Sequence, residues 1–213
     1  MLAGTVVDAL LDVVLPLECG GCGAPHTRWC EACAAVLRVH TDEPGVISPR
    51  IDPGVPVFAL GRYAGPRRRA IVALKEHGRR DLVAPLAVAV ADGVHRLTGW
   101  GILAAEPTVV PAPTRRWAAR RRGGDPVTRI AAASGMRVSP ALRTAAGVRD
   151  STGLSSAARE RNIAGRVRLI RRPAGEVLLV DDVLTTGATA REAVRTLAAA
   201  GVGVAAVLVI AHA

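Results

Sequence analysis

Apolar residues change their spacing along the chain, and the change predicts alternating strands and helices. Continuous apolar runs of the kind found in buried strands occur at residues 57–63, 108–110, 176–180 and 202–210. Apolar positions at helical spacing occur at residues 2–15, 66–75, 82–97, 115–134 (with a break at Gly123-Gly124) and 188–200. Buried strands that alternate with helices are typical of a parallel sheet covered on both faces. We therefore predict an α/β fold with an open, mostly parallel sheet flanked by helices.

Two segments show neither the strand pattern nor the helix pattern. Residues 40–56 are rich in Pro, Gly and Asp, which is typical of a linker. Residues 143–166 are polar and rich in Ser, Arg and Gly, and a long segment of this kind is a candidate lid over a ligand. We predict two units: an N-terminal helix with a four-cysteine module at 1–40, and an α/β domain at 57–213.

Length and composition exclude several classes of protein. With 213 residues, half of them hydrophobic, the chain can form a sizeable core and is not intrinsically disordered. Its longest apolar run, 202–211, is too short to cross a bilayer. The N-terminal stripe contains Asp8 and Asp12 but no early Lys or Arg, unlike a secretory signal. We expect a cytoplasmic protein without membrane insertion.

The net charge of +10 favours a polyanionic partner. Lys75 is the only lysine, and it is not part of a G-x-x-x-x-G-K-[ST] loop, so the chain is not a Walker-type ATPase. The five aromatic residues offer few stacking platforms for single-stranded nucleic acid. Single-stranded DNA stays open as a partner because phosphate contacts need no aromatic residues, and a dense basic cluster is formed by Arg115, Arg116, Arg120, Arg121 and Arg122.

All four cysteines fall in one short segment, Cys19-x2-Cys22-x7-Cys30-x2-Cys33. Two such pairs supply the four thiolates that zinc binds tetrahedrally, and a closed four-thiolate site is structural. Disulfides are the alternative interpretation, which a reducing cytoplasm disfavours. Iron bound as in rubredoxin uses similar spacing and stays an alternative to zinc. His26 is not counted as a ligand because four thiolates complete the shell.

The most informative stretch is 177–189, VLLVDDVLTTGAT. A buried strand delivers Asp181 and Asp182 to its carboxyl end, where open α/β sheets bind ligands. Gly187 then opens a helix whose N-terminus suits a phosphate. Hydroxyl donors are supplied nearby by Thr185, Thr186 and Thr189. A phosphorylated sugar fits both features, whereas an ordinary helix cap needs only one carboxylate.

This stretch resembles the 5-phosphoribosyl-1-diphosphate (PRPP) motif of the phosphoribosyltransferases. The resemblance implies a type I phosphoribosyltransferase-like fold. It also implies that Asp181 and Asp182 contact the ribose hydroxyls. The residues that would hold the 5′-phosphate, again by resemblance, are Thr185, Thr186, Gly187, Ala188 and Thr189.

Together with the cysteines, the chain resembles the ComF family, which is associated with competence and DNA uptake. The matching segments are 63–75 (YAGPRRRAIVALK), 110–113 (VPAP), 154–162 (LSSAARERN) and the PRPP motif. The chain departs from the family pattern at 122–126, which is RGGDP instead of a sequence containing RGFNQ. Ser151 replaces a common glutamine. Both departures lie near the expected pyrophosphate and acceptor positions.

The resemblance implies that PRPP binds with Mg²⁺ and that the phosphoribosyl group passes to an acceptor as pyrophosphate leaves. The expected catalytic residues are Asp181, Asp182, Arg159 and Arg161, with the arginines and Mg²⁺ stabilising the diphosphate. The acceptor is not identified by any motif. One alternative is an inactive module that binds single-stranded DNA or a nucleotide; another is a regulatory domain that senses PRPP.

Overall fold

The computed structural model describes residues 17–113, 124–145 and 163–213. The strands are β1 (Gly45–Val46), β2 (Val57–Ala59), β3 (Thr108–Pro111), β4 (Arg137–Val138), β5 (Leu142–Thr144), β6 (Val167–Leu169), β7 (Val177–Leu184) and β8 (Val204–His212). The helices are α1 (Glu31–Leu37), α2 (Gly65–Glu76), α3 (Val83–Gly99), α4 (Pro126–Ala133) and α5 (Ala188–Ala199), with a 3₁₀ turn at Arg80–Leu82. The predicted helix 2–15 and the basic cluster at 115–122 lie outside the described residues.

Six strands form one sheet in the order β1-β2-β8-β7-β3-β4. Strand β1 is antiparallel to β2, and every other neighbouring pair is parallel. Strands β5 and β6 pair separately as an antiparallel hairpin. The predicted α/β fold with a mostly parallel sheet is confirmed.

The central strands are buried on both faces. In β7, Leu178 and Val180 pack with residues of α2, α3 and α4, such as Ile130. Leu179 faces the other way and packs with residues of α5, including Leu197. Because neither face meets water, the sequence of β7 is continuously apolar up to its acidic end, as expected for a covered parallel sheet.

The chain leaves β3 and β7 in opposite directions. After β3 it runs through α4 to the neighbouring strand β4, and after β7 it runs through α5 to β8. Since α4 and α5 pack on opposite faces, the two connections diverge between β3 and β7. Such a switch point is where open α/β sheets bind their ligands.

Two predictions differ from the structure. The segment 40–56, predicted as a linker, adds β1 to the sheet edge and buries Ile51. Strand β7 runs to Leu184 instead of ending at residue 180, because β8 continues beside it as far as His212. The two aspartates therefore lie within the strand, beyond the point where β3 ends.

Candidate functional site

The four cysteine side chains converge on one point. Their Sγ atoms all lie within 4.8 Å of one another, and those of Cys22 and Cys30 are 3.6 Å apart. Four sulfurs at about 2.3 Å from a tetrahedral zinc are about 3.8 Å apart. The cluster therefore has the dimensions of a four-thiolate metal site and could bind a zinc ion; His26 is not part of it.

Local hydrogen bonds shape this cluster. The N–H group of Cys19 donates to the Ala24 carbonyl at 2.8 Å, and Cys30 caps the start of α1. The N–H groups of Gly21 and Cys30 donate to the Cys19 sulfur at 3.4 and 3.3 Å. Such donors stabilise a thiolate, as bound metal requires.

The thiols differ in how readily they ionise. Burial by itself raises the pKa of Cys19, but the surrounding N–H groups lower it to about 6. Burial and the neighbouring thiols raise the pKa of Cys33. Four thiolates this close repel one another unless a cation lies between them, so the donor set fits a metal ion.

The cysteine module packs directly on the sheet-forming part of the chain. Leu37 of α1 belongs to the same apolar cluster as the helices beside β7. The Arg79 guanidinium donates to the carbonyl of Glu18 at 3.0 Å, and a Cβ atom at Gly20 would lie 2.6 Å from the Leu82 side chain. The module is thus held in place by both polar and apolar contacts.

The acidic pair lies where β7 extends past β3. Asp182 is 6% exposed, and its Oδ1 accepts a hydrogen bond from the Val183 N–H group at 2.6 Å. The Asp182 N–H group in turn donates to Asp181 Oδ1 at 2.8 Å. These bonds lie beyond Val180, the last residue of β7 that pairs with β3, and they hold both carboxyl groups at the switch point.

Lys75, at the end of α2, completes this site. Its Nζ lies 2.6 Å from Asp182 Oδ2. Burial by itself lowers the pKa of Lys75, but the attraction of Asp182 and Asp181 raises it overall. The sequence analysis used Lys75 to exclude a P-loop and as the last residue of the matching segment 63–75, but it did not connect Lys75 with Asp182.

Asp181 is partly exposed, in contrast to its neighbour. Burial and the charge of Asp182, with a smaller contribution from Asp125, raise the pKa of Asp181 to about 8, and Lys75 partly offsets the rise. The Asp181 carboxyl group therefore holds its proton at neutral pH, while the ammonium group of Lys75 lies against Asp182.

The loop after β7 turns sharply into α5. Gly187 has a φ of 90°, and the first helical hydrogen bond runs from the Arg191 N–H group to the Gly187 carbonyl at 2.9 Å. The amides before Arg191 are therefore not used by the helix. Thr186 Oγ1 accepts from the Ala188 N–H group at 3.3 Å. The predicted phosphate-binding residues thus lie together, with Thr185 exposed and Thr189 half-buried.

A second segment lies against this loop. The Ile51 N–H group donates to the Thr186 carbonyl at 2.9 Å. A Cβ atom at Gly187 would collide with the Ile51 carbonyl oxygen and lie 3.0 Å from Pro49. Both the left-handed φ and this close approach require glycine at 187. The sequence analysis missed this contact.

The two most specific motifs of the sheet meet at its carboxyl edge. Pro111 is the last residue of β3 and lies opposite Val180, and the Ala112 N–H group donates to the Val180 carbonyl at 2.8 Å. The VPAP segment therefore lies directly beside the residue that precedes Asp181. The predicted catalytic residues Arg159 and Arg161 fall outside the described residues.

No family model matches the chain, and no curated protein matches it either. Within the described ranges, the helices are all too short or too polar to cross a membrane.

Proposed function

We propose that the protein is a phosphoribosyltransferase-like protein that binds PRPP with Mg²⁺ at the carboxyl end of β7. The observation that carries this proposal is the joint placement of Asp181, Asp182 and the N-terminus of α5 at the switch point beside β3. Carboxyl groups suit the ribose hydroxyls, and unused helix amides suit the 5′-phosphate. A type I fold and membership of the ComF family, with a role in competence and DNA uptake, belong to the same proposal.

The proposed reaction is displacement at the anomeric carbon. The bond between C1 and the diphosphate oxygen breaks, and its electron pair leaves with pyrophosphate. A lone pair of the acceptor forms the new bond to C1, and the acceptor releases a proton. Positive charge develops on the ribose ring, and the negative charge of the aspartate pair stabilises it. The acceptor is unidentified.

Magnesium fits this site as a companion of the substrate. Both oxygens of Asp182 are already engaged, by the Val183 N–H group and by Lys75. We therefore expect Mg²⁺ to arrive on the diphosphate rather than to be held by the aspartate pair. Arg159 and Arg161 are proposed to neutralise the same diphosphate. The four cysteines are proposed to hold a structural zinc, with iron as the alternative.

Calorimetric titration of PRPP with Mg²⁺ tests the proposal. We expect saturable binding by the wild type and none by the Asp181→Asn/Asp182→Asn double variant. Asp92→Asn, an exposed aspartate change on α3, is the matched control and should bind like the wild type. A folded, metal-loaded wild type that does not bind PRPP would refute the phosphoribosyl site. Binding would justify a screen of acceptors for pyrophosphate release.

The alternative of an inactive module that binds single-stranded DNA or a nucleotide predicts another pattern. DNA binding through several phosphates weakens steeply as salt rises, because condensed counterions are released. PRPP binding without turnover for any acceptor, together with salt-sensitive DNA binding, would favour this module. PRPP binding that only changes the affinity for a partner protein would favour a sensor.

A further inference from the structure

We propose that Lys75 is a positioning residue: its ammonium group anchors the Asp182 carboxylate, and Asp181 is thereby left as the carboxyl group that meets the ligand's hydroxyls. This inference rests on the proposed function for the identity of the ligand. The anchoring itself concerns only the protein's own side chains and is testable without a ligand.

The geometry separates the roles of the two aspartates. The ion pair with Lys75 places the Asp182 carboxylate on the α2 side of β7, where Leu178 and Val180 also pack. There its Oδ2 lies 2.6 Å from Lys75 Nζ, while its Oδ1 is held by the Val183 N–H group. Both carboxylate oxygens of Asp182 therefore have a partner among the described residues. Asp181 is the more exposed member and accepts only the Asp182 N–H group among the described residues.

The surrounding charges make this anchor necessary. The carboxyl group of Asp125, which caps α4, adds negative charge near Asp181, and Tyr63 approaches Lys75 ahead of α2. The ammonium of Lys75 is bonded directly to Asp182. Without it, two adjacent carboxyl groups and a third nearby would compete for protons, and Asp182 would lose its fixed orientation.

A lysine suits this position better than an arginine. The side chain of Lys75 is 29% exposed and ends between α2 and a carboxylate that is only 8% exposed. An ammonium group is compact and needs one short contact, whereas a guanidinium is a wide planar fork. In a chain whose other basic residues are all arginine, this is the single place where the smaller cation is used.

Carbon-13 NMR of the aspartate carboxyl groups, recorded without ligand across a pH range, tests the anchor. The resonance that disappears in Asp181→Asn reports Asp181. Lys75→Met should raise the titration midpoint of Asp181 by about one pH unit or more, because an attractive charge is lost. Lys75→Arg keeps the positive charge, so its Asp181 midpoint should lie much closer to the wild-type value than that of Lys75→Met. Arg137→Gln, which breaks an exposed ion pair with Glu106, should leave it unchanged.

The double variant Lys75→Met/Asp182→Asn keeps the test decisive if Lys75→Met alone does not fold. It removes both members of the ion pair, so no unpaired buried charge remains. The midpoint of Asp181 should then fall below its wild-type value, because the charge of Asp182 raises the pKa of Asp181 by more than Lys75 lowers it. An unchanged midpoint in Lys75→Met or in the double variant would overturn the proposed anchor.

PRPP binding with Mg²⁺ tests the link to the ligand. We expect Lys75→Met to weaken binding about tenfold or more. Lys75→Arg keeps the positive charge but not the compact shape, so its affinity should lie between those of Lys75→Met and the wild type. Equal binding by Lys75→Met and the wild type would overturn the positioning role. A wild type that binds no PRPP refutes the proposed function instead, and the NMR titration then decides the role of Lys75 separately.

Discussion

The cysteine module and the carboxyl edge of the sheet assemble their polar groups in opposite ways. The four thiols come from one segment of the chain, and short turns bring them together. The carboxyl edge combines Lys75 of α2, Asp182 of β7 and the segment around Ile51, which are far apart in the sequence. The first site needs only local geometry, whereas the second exists only when the whole sheet has formed.

This difference separates two kinds of electrostatic problem. Four thiolates need a cation from outside the chain to balance their charge, such as the zinc ion that the cluster could bind. The aspartate pair instead lies beside a lysine of the same chain, and the pKa of Asp181 is raised. We expect the first site to respond to metal and the second to respond to pH.

Loss of a thiol should have the largest effect. Cys33→Ser removes a buried ligand, and we expect loss of bound metal and destabilisation by about 4 kcal/mol or more, measured by elemental analysis and denaturant unfolding. A chelator should act on the wild type in the same direction. His26→Asn is the control: it suits the left-handed φ of 61° and should retain the metal. Metal loss in His26→Asn would show that the thiols are not the complete ligand set.

A methyl group at Gly187 should have the next largest effect. Gly187→Ala places a Cβ atom against the Ile51 carbonyl and forces alanine to adopt a left-handed φ. We therefore expect the free energy of unfolding to fall by about 2–4 kcal/mol. Gly175→Ala has a similar φ of 71° but open space around it, and should cost about 1 kcal/mol. Equal losses in the two variants would mean that the 49–51 segment does not press on the loop.

Asp181 should make stability fall as pH rises. Its pKa of about 8 lies above the ordinary value of 3.8, so the folded protein binds the proton more tightly and loses this stabilisation between about pH 4 and pH 8. The free energy of unfolding of Asp181→Asn should fall less as pH rises. Relative to the wild type, the variant should be more stable at pH 8.5 than at pH 5 by roughly 1–3 kcal/mol. Thermal unfolding of both proteins at the two pH values measures this difference.

Asp81 provides the control of opposite sign. Its hydrogen bonds to Arg79 lower the pKa of Asp81, so its contribution to stability is present above the unfolded pKa and disappears in acid. Asp81→Asn should therefore reduce stability at neutral pH and change little below about pH 3. The same pH profile in both aspartate variants would contradict the assignment of the Asp181 shift.

The smallest effect should come from a surface ion pair. Arg137 and Glu106 lie 2.6 Å apart, with side chains 53% and 79% exposed. Water screens such a pair, so Glu106→Gln should change the unfolding free energy by no more than about 0.5 kcal/mol. Denaturant titration measures this value. A larger loss would show that the edge strand β4 depends on the pair.

Much of the architecture was predictable because apolar periodicity is a local signal. Strand β7 and helix α5 follow from unbroken apolar and helical patterns, and the cysteine cluster follows from its spacing. Strands β1 and β4 have two residues each, too few to show a period, and exist through pairing with neighbours. Tertiary packing alone brings Lys75 to Asp182 and Ile51 to the loop. No spacing rule predicts such contacts between distant segments.

The position of β8 has a consequence for how the protein forms during synthesis. The last strand along the chain lies between β2 and β7 in the sheet. As the chain leaves the ribosome, β2 can pair with β1 but lacks its parallel neighbour until residues 204–212 emerge. The cysteine segment, residues 19–33, has emerged long before that. The cysteine cluster can therefore form early in synthesis, whereas the sheet forms only when β8 pairs with both β2 and β7 in one late step.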